Sequence, residues 1–282
     1  MLLQNRDARE RVRVLLNDYV ARHASTVGDG MLAQWNAWMD DCWQRTSSTQ
    51  GDEIFREPEA EPERSRLASK YLRGDGLEIG ALYNPLPLPA GARARYVDKA
   101  DLELLRLLYY EVSQFRIVDA DIVDDGRTLT KVDDESVDFV ISNHFLEHCD
   151  DPIGTLVNHV RVLRPGGFLY LAIPDCRKTF DAPREITTLK HLWRDYDEGP
   201  DWSRAAHYRE WATLVNERTG DDFEAWWRLL DAVDFSIHFH VWRPVDVLEL
   251  LLDVRGRLNL PLDVREFVQH ANECVAILEK RA

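Results

Sequence analysis

Several things are missing from this chain, and each absence removes a class of protein. The N-terminus has no apolar leader: Met1-Leu2-Leu3 turns polar at Gln4, so no secretory signal is predicted. No run approaches the ~20 apolar residues of a membrane span; Phe168 to Pro174 and Leu248 to Leu252 are only of core length. A soluble, cytoplasmic protein is therefore expected. The four cysteines (Cys42, Cys149, Cys176, Cys274) include no C-x-x-C pair. That spacing suits neither a zinc ribbon nor a disulfide framework, and buried free thiols are expected. Positive charge is short as well, with 35 Lys and Arg against 50 Asp and Glu and a net charge of −15. Binding a phosphate backbone needs a concentrated basic face, so no nucleic-acid partner is expected.

What is present falls into parts. Val12, Leu15, Leu16, Tyr19 and Val20 have helical spacing, Gly28-Asp29-Gly30 breaks the pattern, and Leu32, Trp35, Met39, Cys42 and Trp43 resume it. Residues 47–66 are polar and Glu-rich, with Pro58 and Pro62, and read as an exposed connector. From Gly76 short β-type runs alternate with amphipathic helices. The strand candidates are 76–82, 94–99, 115–123, 137–142 and 167–174; the helix candidates are 100–112 and 152–163. Such alternation means βαβ units and a parallel sheet with helices on both faces, its ligand beyond the carboxyl ends of the strands. Residues 176–238 interrupt the rhythm with helical pattern and five of the nine tryptophans, which suggests an aromatic cap. A helix from Pro244 and strands at 262–269 and 273–279 complete the chain. The expected division is 1–66, N-terminal helices and connector, and 67–282, one α/β domain carrying the 176–238 insertion.

Gly76-Leu77-Glu78-Ile79-Gly80 reads as a buried strand running into a glycine, where backbone must approach a ligand. The G-x-G-x-x-G cradle for a dinucleotide pyrophosphate is missing, because the chain continues Ala81-Leu82-Tyr83-Asn84-Pro85. Asp98 ends the next strand, where an acid can accept hydrogen bonds from both hydroxyls of a ribose. The third strand ends Asp119-Ala120-Asp121-Ile122, and Asp121 with Ile122 is the choice for an adenine contact, Asp119 remaining open.

Leu77-Glu78-Ile79-Gly80, Tyr96-Val97-Asp98, Val137 to Asn143 with Leu146-Glu147-His148, and Leu163-Arg164-Pro165-Gly166-Gly167 together resemble the class I S-adenosylmethionine-dependent methyltransferases. The likeness is to the type 11 small-molecule group, in a Gly-Ala-Leu-x-Asn-Pro-Leu variant. It covers about 70–175 well and 240–282 by pattern. The resemblance implies a doubly wound, Rossmann-like, seven-stranded, mostly parallel sheet and S-adenosylmethionine as cofactor. It implies Glu78, Gly80, Asn84, Asp98, Asp121, Ile122 and Asn143 as the cofactor-binding residues. The family's first loop usually carries two or three glycines; here there is Gly80 with Asn84-Pro85.

Methyl transfer from a sulfonium is an in-line displacement, so the enzyme chiefly positions the acceptor and excludes water. A hydroxyl acceptor also needs a base, for which His is the first candidate. His144 follows the fourth strand and His148 lies four residues on, and these two are the expected catalytic residues. His238 and His240 share a face if their segment is extended, and packing against the cap is the expected role for both. No metal ligand is expected. The predicted activity is methyl transfer to a small molecule or glycan, at oxygen. The alternatives are a repurposed, non-catalytic cofactor-binding protein and, remotely, a zinc hydrolase using His144, Glu147 and His148.

Overall fold

The computed structural model describes residues 62–109, 115–232 and 234–281, together with Ala37. The expected N-terminal helices with their tryptophans, Cys42 and most of the 47–66 connector lie outside the described residues. The connector ends earlier than expected, because helix α1 begins at Pro62 and runs to Tyr71. Proline suits a first helical turn, where its missing N–H costs no bond.

Seven strands form one sheet: β1 Gly74–Ile79, β2 Ala92–Asp98, β3 Ile122–Val123, β4 Val137–Asn143, β5 Leu163–Pro174, β6 Leu262–His270 and β7 Glu273–Lys280. Their order is β3-β2-β1-β4-β5-β7-β6. Every neighbouring pair from β3 to β5 is parallel, whereas β7 runs antiparallel to both β5 and β6. The winding reverses between β1 and β4, where a doubly wound sheet opens a crevice at its carboxyl edge.

Alternation along the strands divides the core. Leu77, Val140, Leu169, Leu171 and Leu278 face one layer; Phe139, Ile141, Tyr170, Ala172 and Ile277 face the other. Buried on both faces, β4 reads Val-Asp-Phe-Val-Ile-Ser-Asn, a nearly continuous apolar run. Helices α3 (Pro152–Val162), α4 (Leu189–Glu198) and α7 (Pro244–Arg257) supply Ile153, Leu156, Leu192, Trp193 and Val247 to the first layer. Leu67, Ala68 and Leu72 of the α1 region cover the second. Gly76 has a packing reason, since a Cβ there would lie 2.2 Å from the Phe139 ring.

Two elements are shorter than the sequence pattern suggests. Helix α2 is confined to Leu102–Leu108, and the third strand to two residues. Residues 176–238 are mostly helical, as expected: α4, α5 (Asp201–Glu210), a π turn Trp211–Val215 and α6 (Asp221–Ala232). This cap has its own core of Tyr208, Trp211, Trp227, Leu230, Ile237 and Phe239. Trp193, although within the insertion, packs into the core of the sheet. Cys149, Cys176 and Cys274 are buried free thiols. No helix among the described residues is long and apolar enough to cross a membrane.

Candidate active site

The carboxyl edge of β1 and β4 opens into a cavity of about 770 Å³ that the cap roofs. Glu78, Gly80, Asn84 and Asn143 line its sheet side, His144 stands at the end of β4, and His148, Trp211 and His238 close the cap side. The sheet wall is left with unsatisfied polar atoms. Glu78 Oε1 accepts from the Leu86 amide at 2.8 Å, while its Oε2 and both amide atoms of Asn143 are buried with no hydrogen-bond partner among the described residues. Burial pushes the Glu78 carboxyl up to about 8, the Leu86 amide only partly opposing it. Buried polar atoms are ordinarily satisfied, so unpaired ones around a cavity mark where a polar ligand belongs.

The loop after β1 keeps a glycine-rich shape without the glycines. Gly80 has φ +63° and Leu82, two residues on, has φ +47°. A left-handed leucine is rare and costs about 1–2 kcal/mol. Its carbonyl accepts from the Val118 amide at 2.8 Å, and its side chain packs with the cluster of Ala100, Leu105 and Ile117. The missing second glycine therefore leaves the loop's turn intact.

Asp98 stands beside this loop, because the Gly80 amide donates to the Val97 carbonyl at 2.9 Å. Desolvation raises its carboxyl to about 6, partly opposed by the Lys99 amide. It lies at the end of β2 and not in the cavity lining. Asp121 and Ile122 are not brought to the cavity either. The Asp121 carboxylate accepts from the Tyr96 amide at 2.8 Å and so braces β2, while Ile122 packs against the core of the sheet. The strand ends at Val123, so the acids beyond its carboxyl end are Asp124 and Asp125. Asp124 is occupied in shaping the loop, accepting from Thr130 Oγ1 at 2.9 Å and the Lys131 amide at 2.7 Å.

His144 and His148 do not share a helix. His144 is in the left-handed region with φ +49°, Leu146–His148 form a 3-10 turn, and α3 starts only at Pro152. His144 Nε2 donates to Glu273 Oε2 at 2.7 Å, and Arg64 of α1 binds both oxygens of the same carboxylate. Burial alone would raise the Glu273 carboxyl, but these two donors outweigh it and hold it at about 2. His148 Nδ1 lies 2.9 Å from the Ile237 carbonyl and 3.1 Å from Ser236 Oγ. Burial holds its pKa well below the usual imidazole value, so the ring is neutral.

His238, expected to pack, lines the cavity as part of a dyad. Its Nδ1 donates to Asp181 Oδ2 at 2.7 Å, and Arg184 Nη1 binds the other oxygen of Asp181 at 2.9 Å. Burial raises the Asp181 carboxyl, but His238 and Arg184 outweigh it and leave it lowered. The His148 and His238 rings meet edge to face at 4.6 Å. His240 is buried elsewhere in the cap, so the two histidines divide between cavity and cap. Asp181 and His238 stand 57 positions apart, which hid the dyad from the sequence. Beside the cavity, among the described residues, the converging triplet is Glu147, His148 and His238, not the His144-Glu147-His148 set of a zinc hydrolase.

Residues 86–171 match the family model described as "Methyltransferase domain". The match runs from the loop after β1 into β5. No protein of curated function matches the chain. Among solved structures, it is similar to an S-adenosylmethionine-dependent methyltransferase from Aquifex aeolicus, at 12% identity over 85% of this chain and 97% of that one, TM-score 0.42. It is likewise similar to one from Methanosarcina mazei, at 16% identity over 81% and 99%, TM-score 0.40. A protein described as a Zn-dependent alcohol dehydrogenase from Rhodobacter sphaeroides gives 14% identity over 86% and 98%, TM-score 0.47. The matched stretch, residues 86–171, is similar to a methyltransferase domain, and it lies within a doubly wound, mostly parallel sheet.

Proposed function

We propose that the protein methylates an oxygen of a small-molecule or glycan acceptor held between the strand ends and the cap. The observation that carries this reading is the pairing of two unlike walls around one cavity. On one side stand the orphaned polar atoms of Glu78 and Asn143; on the other stands the His238–Asp181 dyad.

S-adenosylmethionine, when bound, supplies an electrophilic methyl group on a sulfonium. Glu78 and Asn143 offer acceptors for the ammonium of its methionine part, Gly80 and Asn84 let the backbone approach, and Asp98 takes the ribose hydroxyls. Asp121 and Ile122 brace the sheet instead. His238 is the base. Because Asp181 holds its Nδ1–H, Nε2 is left to accept the acceptor's hydroxyl proton, and Asp181 stabilises the imidazolium that forms. His148, kept neutral, packs against the His238 ring and fixes its plane. His144 is clamped by Glu273 and sets the edge of β4. Trp211 and the cap aromatics exclude water. Residues 67–282 would then act as one catalytic domain, with α1 added to it through Arg64.

The test is calorimetric titration with S-adenosylmethionine and S-adenosylhomocysteine, followed by labelled methyl transfer to a panel of hydroxyl compounds and glycans. Binding followed by ether formation supports the reading. A folded protein that binds neither ligand, or one that methylates only amines, overturns it. Binding without transfer to any acceptor would favour the repurposed binding protein.

A further inference from the structure

We propose that the cap holds a divalent transition-metal ion, zinc by its donor set, on His191, Asp195, His207 and His240. The site lies outside the cavity and rests on the cap's geometry alone, independently of the methyl-transfer reading.

The four side chains come from three separate elements. His191 and Asp195 lie one turn apart on α4, whose start Thr188 caps by accepting from the His191 amide. His207 sits in the last turn of α5, and His240 in the segment leading to α7. His191 Nε2 is 3.0 Å from His207 Nε2 and 3.2 Å from Asp195 Oδ2, and His240 Nε2 is 3.7 Å from the same oxygen. A tetrahedral zinc with bonds of about 2.0–2.1 Å has ligand atoms about 3.3 Å apart, so these spacings are edges of such a tetrahedron. The donor atoms of all three histidines lie within 4.8 Å of one another.

Hydrogen bonding alone does not satisfy the cluster. His191 and His207 can share one N–H, and His240 Nε2 has the Asp150 carbonyl at 3.3 Å. Asp195 Oδ1 accepts from Ser203 at 2.9 Å. Its Oδ2, on a side chain with 0% exposure, then has no hydrogen-bond partner among the described residues. A buried carboxylate oxygen facing imidazole nitrogens without a donor is costly, and a cation at their centre removes that cost. His207 and His240 are kept neutral chiefly by burial, the form in which imidazole ligates. With four protein ligands the site is closed, which is the structural type. It would tie α4 and α5 to the segment that carries His238 two residues before His240, and so hold the dyad in register.

The test measures metal in the full-length protein by mass spectrometry after loading with zinc and dialysis. One zinc per chain is expected, together with ligand-field bands of a tetrahedral site on cobalt(II) substitution and a lower melting temperature after chelation. Asp195→Asn and His207→Gln should lose the ion, while Glu147→Gln and His148→Gln should keep it. No ion on folded wild-type protein at micromolar zinc overturns the proposal. So does an ion retained by both cap variants, or lost from Glu147→Gln. Should the cap variants fail to fold, the wild-type cobalt spectrum decides, and absent or octahedral bands overturn the site.

Discussion

The two walls of the cavity are built on different principles. On the sheet side Glu78, Gly80 and Asn143 sit at the carboxyl ends of β1 and β4, each placed by its strand, with Asp98 at the end of β2 beside the lining. On the cap side His238 meets Asp181 across a loop and helix turns, and outside the cavity His191 meets His207 in the same way. The sheet side holds acids with one backbone amide each as hydrogen-bond partner, and Glu78 and Asp98 are both raised, chiefly by burial. In the cap wall Asp181 is committed to cations and imidazoles and is lowered. The difference suggests that one wall awaits a charged cofactor, whereas the other is already assembled for proton transfer.

The sharpest way to break that division is to substitute the cap wall and measure both functions. His238→Ala and Asp181→Asn should lower turnover by about 10²–10⁴-fold while calorimetry shows cofactor affinity nearly unchanged. Equal loss of affinity would mean the walls are not separate. The reciprocal change is Asp98→Ala, which should weaken S-adenosylmethionine binding by about 10- to 100-fold through loss of a charge-assisted contact. Unchanged affinity would remove Asp98 from the site.

Proton linkage sharpens the contrast. Ribose hydroxyls bond best to an ionised acid, so cofactor affinity should fall as pH drops through about 6 in wild type and stay flat there in Asp98→Asn. Glu78, at about 8, is mostly protonated at neutral pH, and the cofactor's ammonium favours its ionised form. Binding near pH 7 should therefore release about one proton, read from calorimetry in buffers of different ionisation enthalpy, and Glu78→Gln should abolish the release.

The smallest effect concerns the clamp between the walls. Because Glu273 is lowered to about 2 from 4.5, its contribution to stability is present above about pH 4.5. It is lost as pH falls toward 2. Melting temperature followed over that window should fall less steeply in Glu273→Gln than in wild type.

Much of the sheet wall was legible because its residues are local to a strand end. A buried run stopping at Gly80, an acid at Asp98 and Asn143 after an apolar strand each announce their position. The choice of Asp121 and Ile122 misplaced the end of a strand only two residues long, too short to leave a period of its own. The four-residue spacing of His144 and His148 would put them on one face of a helix, but a left-handed residue and a 3-10 turn separate them. The cap wall left no comparable trace. Histidine, aspartate and tryptophan at helical spacing read as ordinary packing until the partner from another helix is known.

The sequence by itself determined the alternation of strands and helices, the absence of a dinucleotide cradle and the acids that end β1 and β2. These are short-range features, set by periodicity and by which residues a strand end tolerates. Only the tertiary structure decided that His238 faces the cavity while His240 joins the cap. It also decided that Glu273 is shared by Arg64 and His144, and that three imidazoles and the Asp195 carboxylate converge in the cap. Those outcomes depend on how the helices of the insertion cross and how they settle on the sheet. Crossing and docking are set by packing between segments distant in the chain, which no local pattern records.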